Sequence, residues 1–249
     1  MRKFNLLVLN EWLKMFKKRS FFIPYLIIAL FPAVIAYISH SFSADAFPSA
    51  AAFIKEMLLP TGMGQVIAIL AIIGTAGIVS KEHSQGTVKF LLIRARSRTA
   101  ILASKYVTVL LYALSLTAVT AAAIVISGML WFQAGGGDTG IAGILQSLLY
   151  GYVYTMVYVT FVFMVGVLTN STGVTIGLSM FAVMMDKVVI YRDFYKYFLF
   201  PNLDLSVYGS GQQPPLPGMT LGFSVLMLAV YMAVFLLAGF MVFRRRDVA

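Results

Sequence analysis

The stretch KEHSQGTVKFLLIRARSRTAILASKY, residues 81–106, separates two apolar runs of membrane length and sets the expected orientation of the chain in the membrane. It carries six Lys or Arg residues and a single acid, Glu82. A segment this polar must lie outside the hydrocarbon, and Lys and Arg are retained on the cytoplasmic side during insertion. Because the stretch is longer than a connector needs to be, we expect an ordered cytoplasmic loop that docks a partner.

The composition of the chain is that of a polytopic membrane protein. Of its 249 residues, 60% are apolar and only 11% are charged, and the mean hydropathy of +0.89 is too high for a soluble domain. The formal net charge is +10, but the basic residues lie beside the apolar runs, where they orient the chain and contact anionic lipid. We therefore expect contact with membrane lipid and no nucleic-acid partner.

Six apolar segments are candidates to cross the bilayer, which takes roughly 20 helical residues. They cover residues 21–39, 58–80, 101–132, 142–168, 174–190 and 221–243. The charge of the loops between them alternates in a way that fits six crossings with both termini in the cytoplasm. Because the turn at residues 169–173 is uncharged, four crossings fit the pattern as well. We predict an all-α fold with six transmembrane helices, as one transmembrane domain over residues 1–249.

Two further segments are predicted beside the spans. In residues 1–20, apolar residues including Trp12 and Phe16 recur at helical spacing among basic residues, which is typical of an amphipathic helix in the membrane interface. The alternative is that this basic run only anchors the first span. Residues 191–219 are rich in Tyr and Phe and end in a proline-rich break, which predicts an outer aromatic segment.

The sequence carries no pattern of a catalytic site. It contains no G-x-x-x-x-G-K-[ST] loop for ATP. Its two histidines, His40 and His83, are predicted on opposite sides of the bilayer, which argues against a shared metal site. We therefore expect a chain that is not an enzyme and that has no cofactor or metal site of its own.

Asp186 and Lys187 are the nearest exception to an otherwise uncharged set of apolar segments. The scarcity of buried charge argues against an ion-coupled carrier, since such carriers keep carboxylates on their path. The position of the pair near the outer end of the fifth segment favours side chains that snorkel outward. A role of Asp186 and Lys187 as an outer transport gate is the second interpretation.

A family resemblance rests on the loop between the second and third segments. The residues that carry it are Glu82, Gly86, Thr87, Leu91, Leu92, Arg94, Ser97, Arg98, Lys105 and Tyr106. This order of an acid, a Gly-Thr pair, a Leu pair, a Ser-Arg pair and a Lys resembles the permease subunit of type 2 ABC exporters. The likeness is to the small permeases of bacterial antibiotic-resistance and peptide efflux systems. Ala95 departs from the pattern, because such permeases often have proline there.

The resemblance implies a mechanism. Residues 81–100 would form a cytoplasmic coupling helix that docks on a separate ABC ATPase subunit, which binds ATP and Mg²⁺. A second permease subunit, identical or different, would complete the path, and an amphipathic substrate, a peptide antibiotic or a lipid-like molecule, would be exported across the plasma membrane of a bacterium. The alternative is a non-transporting membrane sensor or assembly protein whose basic loop docks a cytoplasmic regulator.

Overall fold

The described part of the chain folds into helices and their connections. The computed structural model describes residues 2–42, 46–84, 97–133, 141–188, 190–209 and 211–245. Over these residues the α-helices are α1 (Arg2–Phe16), α2 (Phe22–Phe42), α3 (Ala50–Leu58), α4 (Gln65–Ser84), α5 (Arg98–Trp131), α6 (Ile141–Thr169), α7 (Thr172–Met185) and α8 (Leu221–Arg245). Short 3-10 helices at Asp193–Tyr197, Phe200–Asn202 and Leu205–Tyr208 lie between α7 and α8. The predicted all-α fold is confirmed for the described residues.

Within the described ranges, five helical segments are long and apolar enough to cross a membrane. They are Arg19–Phe42, Pro60–Ile78, Thr99–Trp131, Ala142–Thr169 and Leu221–Arg245. Each of them coincides with a predicted span. The remaining predicted span, the fifth in the chain at residues 174–190, overlaps α7, which has 14 residues. At 1.5 Å per residue α7 is about 21 Å long, whereas a bilayer core is about 30 Å thick, so α7 alone is too short to cross.

A short helix occupies a segment that the charge pattern predicts as an outer loop. α3 begins after Ser49, whose side-chain oxygen accepts a hydrogen bond from the backbone N–H of Ala52 at 3.2 Å. One face of α3 is buried, through Ala50, Phe53, Ile54 and Leu58. The Phe53 ring stacks on Phe132 at the end of α5, with ring centroids 5.1 Å apart. Part of the expected outer loop is therefore ordered against the bundle.

Helices α4, α5 and α6 form the centre of the bundle. α6 packs against α4, α5, α7 and α8, and α5 also contacts α1, α2 and α3. In α6, 67% of the apolar membrane-length window is buried, whereas in α8 only 11% is buried. α2 and α8 therefore form outer walls, and their large apolar side chains face away from the bundle.

Threonine side chains inside the bundle bond to their own helix. In α5, Thr108, Thr117 and Thr120 donate to the carbonyl oxygens four residues earlier, at 2.8, 3.0 and 2.9 Å. In α6, Thr155 and Thr160 do the same at 3.0 and 2.7 Å. Local hydrogen bonds of this kind let hydroxyl groups lie in an apolar environment. These residues therefore do not mark a polar path through the protein.

The two ends of the bundle differ in charge. The basic end is formed by the α1–α2 junction, the α6–α7 turn and the C-terminus of α8, and it carries Lys17, Lys18, Arg19, Arg244 and Arg245. The opposite end holds α3, the C-terminus of α5 and the start of α8. The helices thus place the N-terminal and C-terminal basic residues on one side, as the charge pattern predicts.

Gly74 is required where α4 meets α5. A Cβ atom at this position would lie 2.5 Å from Cε1 of Tyr112, whose side chain is 1% exposed. We predict that Gly74→Ala overpacks the contact, destabilises the fold by about 1–3 kcal/mol and lowers the thermal unfolding midpoint of the detergent-purified protein by several degrees. Gly177→Ala is the control, because a Cβ there meets no atom within 4 Å. Equal midpoints for the two variants would contradict the packing of Tyr112 on Gly74.

Candidate functional site

Asp186 ends α7 and directs its side chain into the bundle. Its backbone N–H donates to the carbonyl oxygen of Ala182 at 3.2 Å, and its side chain is 9% exposed. The neighbouring Lys187 side chain is 51% exposed, and its Nζ lies 3.9 Å from Oδ2 of Asp186. Lys187 therefore reaches outward, while the carboxylate stays inside.

Two tyrosines of α6 surround this carboxylate. The Tyr154 hydroxyl donates to Oδ2 of Asp186 at 2.7 Å. The Tyr154 ring packs edge-on against Tyr158, with centroids 5.1 Å apart, and both side chains are 1% exposed. The Tyr158 hydroxyl lies near both groups, yet it makes no hydrogen bond of normal geometry. A buried hydroxyl without a hydrogen bond of normal geometry is unfavourable, so Tyr158 adds a second polar group beside the carboxylate.

The site lies deep along α6. Tyr154 is 13 residues from the start of α6 at Ile141 and 15 residues from its end at Thr169, which places it about 20 Å from either end. The carboxylate of Asp186 is therefore near the middle of a membrane-length helix and not at its rim. An ionisable group this far inside an apolar bundle is energetically costly.

The segment between α7 and α8 covers the site on the side away from the basic end of the bundle. Leu203 and Leu205, which are 0% and 3% exposed, pack in the same apolar cluster as Tyr154 and Tyr158. Part of the predicted outer aromatic segment faces away from the protein, namely Tyr191, Phe194, Tyr197 and Phe198. The segment is therefore both a cover over the buried carboxylate and an exposed aromatic surface.

Asn202 fastens this cover. Its Nδ2 donates to the carbonyl oxygens of Lys196 and Phe198 at 2.8 and 2.7 Å. Its Oδ1 accepts from the hydroxyl of Ser224 in α8 at 2.8 Å, and the hydroxyls of Ser224 and Tyr208 lie 2.8 Å apart. One buried amide thus joins the 3-10 turns to each other and to α8.

A line of polar side chains on α6 leads to the site. Gln146, Tyr150, Tyr154 and Tyr158 recur every four residues and share one face of the helix. Nε2 of Gln146 donates to the Tyr150 hydroxyl at 2.8 Å, and both residues line a cavity of about 150 Å³ together with Ser206. This face was not predicted, although its Tyr-x-x-x-Tyr-x-x-x-Tyr spacing is legible in the sequence.

The side chains around Asp186 determine what the site can bind. Among the residues that the structure describes, no group of three or more His, Cys, Asp or Glu is placed to hold a metal ion. One carboxylate flanked by tyrosine rings and hydroxyls suits a single positive group, because the carboxylate attracts it, the rings stabilise it and the hydroxyls hydrogen-bond to it.

Lys105, one of the predicted coupling residues, is buried in a contact with α1. Its side chain is 3% exposed and its Nζ lies 2.7 Å from Oε2 of Glu11, while Lys14 binds Oε1 of Glu11 at 2.6 Å. Burial alone would raise the pKa of Glu11, but the charges and hydrogen bonds of Lys105 and Lys14 outweigh burial, so the pKa is lowered. Lys105 therefore fastens α1 to the start of α5. Glu11, the one acid in the N-terminal basic run, was the signal in the sequence.

Ser97 caps α5, since its side-chain oxygen accepts a hydrogen bond from the backbone N–H of Ala100 at 3.3 Å. Glu82 falls in the last turn of α4 and Arg98 is the first residue of α5, but their side chains lie outside the described part of the chain. Five further predicted coupling residues lie wholly outside the described residues: Gly86, Thr87, Leu91, Leu92 and Arg94.

The chain matches one protein family over most of its length. The family described as Protein of unknown function (DUF2705) matches residues 15–249, so the chain belongs to that family. It is 33% identical over 202 residues to the uncharacterized protein YhcI of Bacillus subtilis (strain 168), a match that covers 73% of this chain but only 64% of YhcI. It is 28% identical over 221 residues to the uncharacterized membrane protein YdbK of the same organism, with 79% and 83% covered. The five apolar helices and the name of this relative indicate a membrane location.

The hydrogen bond between Tyr154 and Asp186 is open to a direct test. We predict that Tyr154→Phe destabilises the protein by about 1.5–3 kcal/mol, because it removes a donor to a buried charged group. The double variant Tyr154→Phe/Asp186→Asn should lose less free energy of unfolding than the sum of the two single losses, as measured by denaturant unfolding in a double-mutant cycle. Tyr191→Phe is the control, since the Tyr191 side chain is 81% exposed. Strictly additive losses would contradict the contact.

Proposed function

We propose that this member of the DUF2705 family is the membrane-spanning subunit of an ATP-driven exporter, which moves an amphipathic substrate out of the cell with energy from a separate ATPase subunit. The observation that carries the proposal is the buried pair of Asp186 and Tyr154 at the end of a helix that stops inside an apolar bundle. In secondary transporters, discontinuous helices that end near the membrane midplane form substrate sites, and ionisable residues within membrane segments mark substrate pathways; the proposal extends this arrangement to an ATP-driven exporter.

In this proposal Asp186 and Lys187 form the outer gate. The carboxylate of Asp186 binds a positive group of the substrate, while Tyr154 and Tyr158 contact it from α6. Lys187 takes the place of the substrate when it leaves, since its Nζ already lies 3.9 Å from Oδ2 of Asp186. An amphipathic peptide antibiotic with a basic group has the charge and the apolar surface for such a path.

The proposed topology has six crossings. In the fifth crossing, α7 spans the half that is nearer the basic end. The segment that follows Asp186 spans the other half. Both termini then lie on the basic side, which is the cytoplasmic side by the retention of Lys and Arg during insertion. The membrane is the plasma membrane of a bacterium, and α1 lies in its cytoplasmic interface.

The coupling loop, residues 81–100, docks the ATPase in this proposal. Ser97 starts α5, and Lys105 joins α5 to α1 through Glu11, so a force on the loop moves both helices together. Further along α5, the hydroxyl of Tyr106 lies 3.0 Å from that of Thr160 on α6. This contact links the coupling end to the helix that carries Tyr154, which is the physical connection that coupling between two sites requires.

A second permease subunit completes the transport path in the proposal, either as an identical copy or as a different chain. The outer walls α2 and α8 present long apolar faces, which suit both lipid and another transmembrane subunit.

An ion-coupled carrier is the second candidate. The buried carboxylate of Asp186 favours it, because proton- or ion-coupled carriers use such groups on their path. The scarcity of other charged residues in the apolar segments argues against an ion-coupled carrier. That argument is weaker than the sequence alone suggested, because Asp186 is buried.

The proposal predicts a partner that can be isolated. Purified from its native cells in gentle detergent, the chain should bring a stoichiometric ATPase subunit, identified by mass spectrometry. Glu82→Lys should release that subunit, since it reverses the one acid of the docking loop. Glu56→Lys, the same substitution at an exposed position of α3, should retain it because α3 is at the opposite end.

Recovery of no ATPase under conditions that keep comparable complexes intact would contradict the exporter. In that case, uptake into proteoliposomes driven by a pH gradient would identify the ion-coupled carrier, and recovery of a soluble regulator would identify a sensor.

A further inference from the structure

A groove of about 410 Å³ lies at the basic end of the bundle, between α2 and the inner helices. Its walls are apolar: Ile23 and Ile27 come from α2, Ile73 from α4 and Ile176 from α7. It extends along α4 from Leu70 to Ile78, which is about 12 Å at the helical rise. The groove therefore has the length and the lining of a channel for a short stretch of hydrocarbon chain.

Glycines of α4 make room for this groove. Gly74 and Gly77 lie along it without side chains, and the buried Tyr112 of α5 closes it behind them. Tyr112 lies so close to α4 that a Cβ at Gly74 would meet its ring. The space is thus bounded by the core of the bundle on one side, and it is reached from the side of α2.

The mouth of the groove is polar and basic, in contrast to its walls. Lys18 and Ser20 line it at the α1–α2 junction, and Lys17 and Arg19 flank them in the chain. Basic residues at the membrane surface attract anionic lipid by about 1 kcal/mol each. A positive mouth above an apolar groove matches the two halves of an anionic amphiphile.

The junction that carries this mouth is held in place by contacts in the core. Glu11 binds both Lys14 and Lys105, which fixes α1 on α5. Phe21, which is 8% exposed, packs edge-on against Trp12 with centroids 5.8 Å apart and also contacts Tyr112 at 5.6 Å. The charged mouth and the apolar groove are therefore parts of one ordered arrangement.

A second groove, on another side of the same junction, provides an internal comparison. It is lined by Trp12, Phe16, Phe22, Leu26 and further apolar or hydroxyl side chains, and none of the described residues that line it is charged. That surface suits unselective contact with hydrocarbon, whereas the groove beneath Lys18 can select a charged headgroup.

We propose that the groove between α2 and α4 binds an anionic phospholipid, with its phosphate at Lys18 and Ser20 and one acyl chain along Ile23, Ile27 and Ile73. The apolar length of the groove requires a chain, so a free phosphate cannot fill the site. The second acyl chain remains in the bilayer on the open side, next to α2. This site is separate from the carboxylate of Asp186 and does not depend on the exporter proposal.

Native mass spectrometry of the full-length purified chain tests the site. The protein is mixed in detergent with dioleoyl phosphatidylglycerol or, separately, dioleoyl phosphatidylcholine, and the bound lipid is counted. We expect one tightly held phosphatidylglycerol and weaker binding of phosphatidylcholine. Lys18→Glu should weaken phosphatidylglycerol binding about tenfold, as expected when one charge at a lipid headgroup is reversed.

Lys17→Glu is the matched control, because it makes the same change in the next residue, which does not line the groove. Ile73→Trp fills the groove from a position that is 48% exposed, so it should block lipid binding while the unfolding midpoint stays unchanged. Glycerol phosphate, which has the headgroup chemistry without chains, should not compete.

Three results would overturn the proposal. Equal binding of the two lipids would show that the groove does not select an anionic headgroup. Equal effects of Lys17→Glu and Lys18→Glu would show that the preference for phosphatidylglycerol comes from diffuse surface charge. Undiminished lipid binding in a folded Ile73→Trp protein would place the lipid outside the groove.

Discussion

The constraint on which the structure depends is that an apolar surrounding offers no water to unpaired backbone groups. α7 ends after 14 residues, too early to cross, so the chain beyond it must find its hydrogen bonds inside the protein. Side chains supply them: Tyr195 donates to the carbonyl oxygen of Val188 at 2.6 Å, and Asn202 donates to those of Lys196 and Phe198. This internal satisfaction permits a helix to stop in the middle of the bundle, and it leaves Asp186 buried there.

Helix α6 joins the two parts of the protein on which the proposed export depends, the coupling end and the buried carboxylate. Through Tyr154, α6 binds the carboxylate of Asp186. Through Thr160, which follows Tyr158 by two residues, α6 contacts Tyr106 of α5. α5 in turn is joined to α1 by Lys105 and Glu11. A displacement of the basic end therefore has a continuous packed route to Asp186, and the long apolar walls α2 and α8 stand outside that route.

The long helices could be predicted from the sequence, because a run of about 20 apolar residues is a local property of the sequence and depends on no contact with another segment. The α1 helix followed from its periodicity, and Asp186 and Lys187 were recognised as exceptional charges. The short α3 was not predicted, since the whole helix is only nine residues long. The fifth segment was recognised as short and as ending near Asp186 and Lys187, but its predicted bounds ran on to residue 190 because apolar residues resume after this charged pair. Contacts between distant residues could not be predicted: Glu11 stands out as the one acid in its basic run, but Lys105 is 94 positions away, and nothing in either segment identifies it as the partner of Glu11.

Solvent access to position 186 is the measurement that decides whether the carboxylate of Asp186 is buried. The chain has no cysteine, so single cysteines placed at Asp186 and at the exposed, charged position Asp193 can be labelled in native membranes without background from other positions of this chain. We expect a membrane-impermeant maleimide to modify the cysteine at 193 rapidly and the cysteine at 186 far more slowly. Equal labelling rates at the two positions would show that Asp186 lies at the surface, and the buried carboxylate centre would then be wrong.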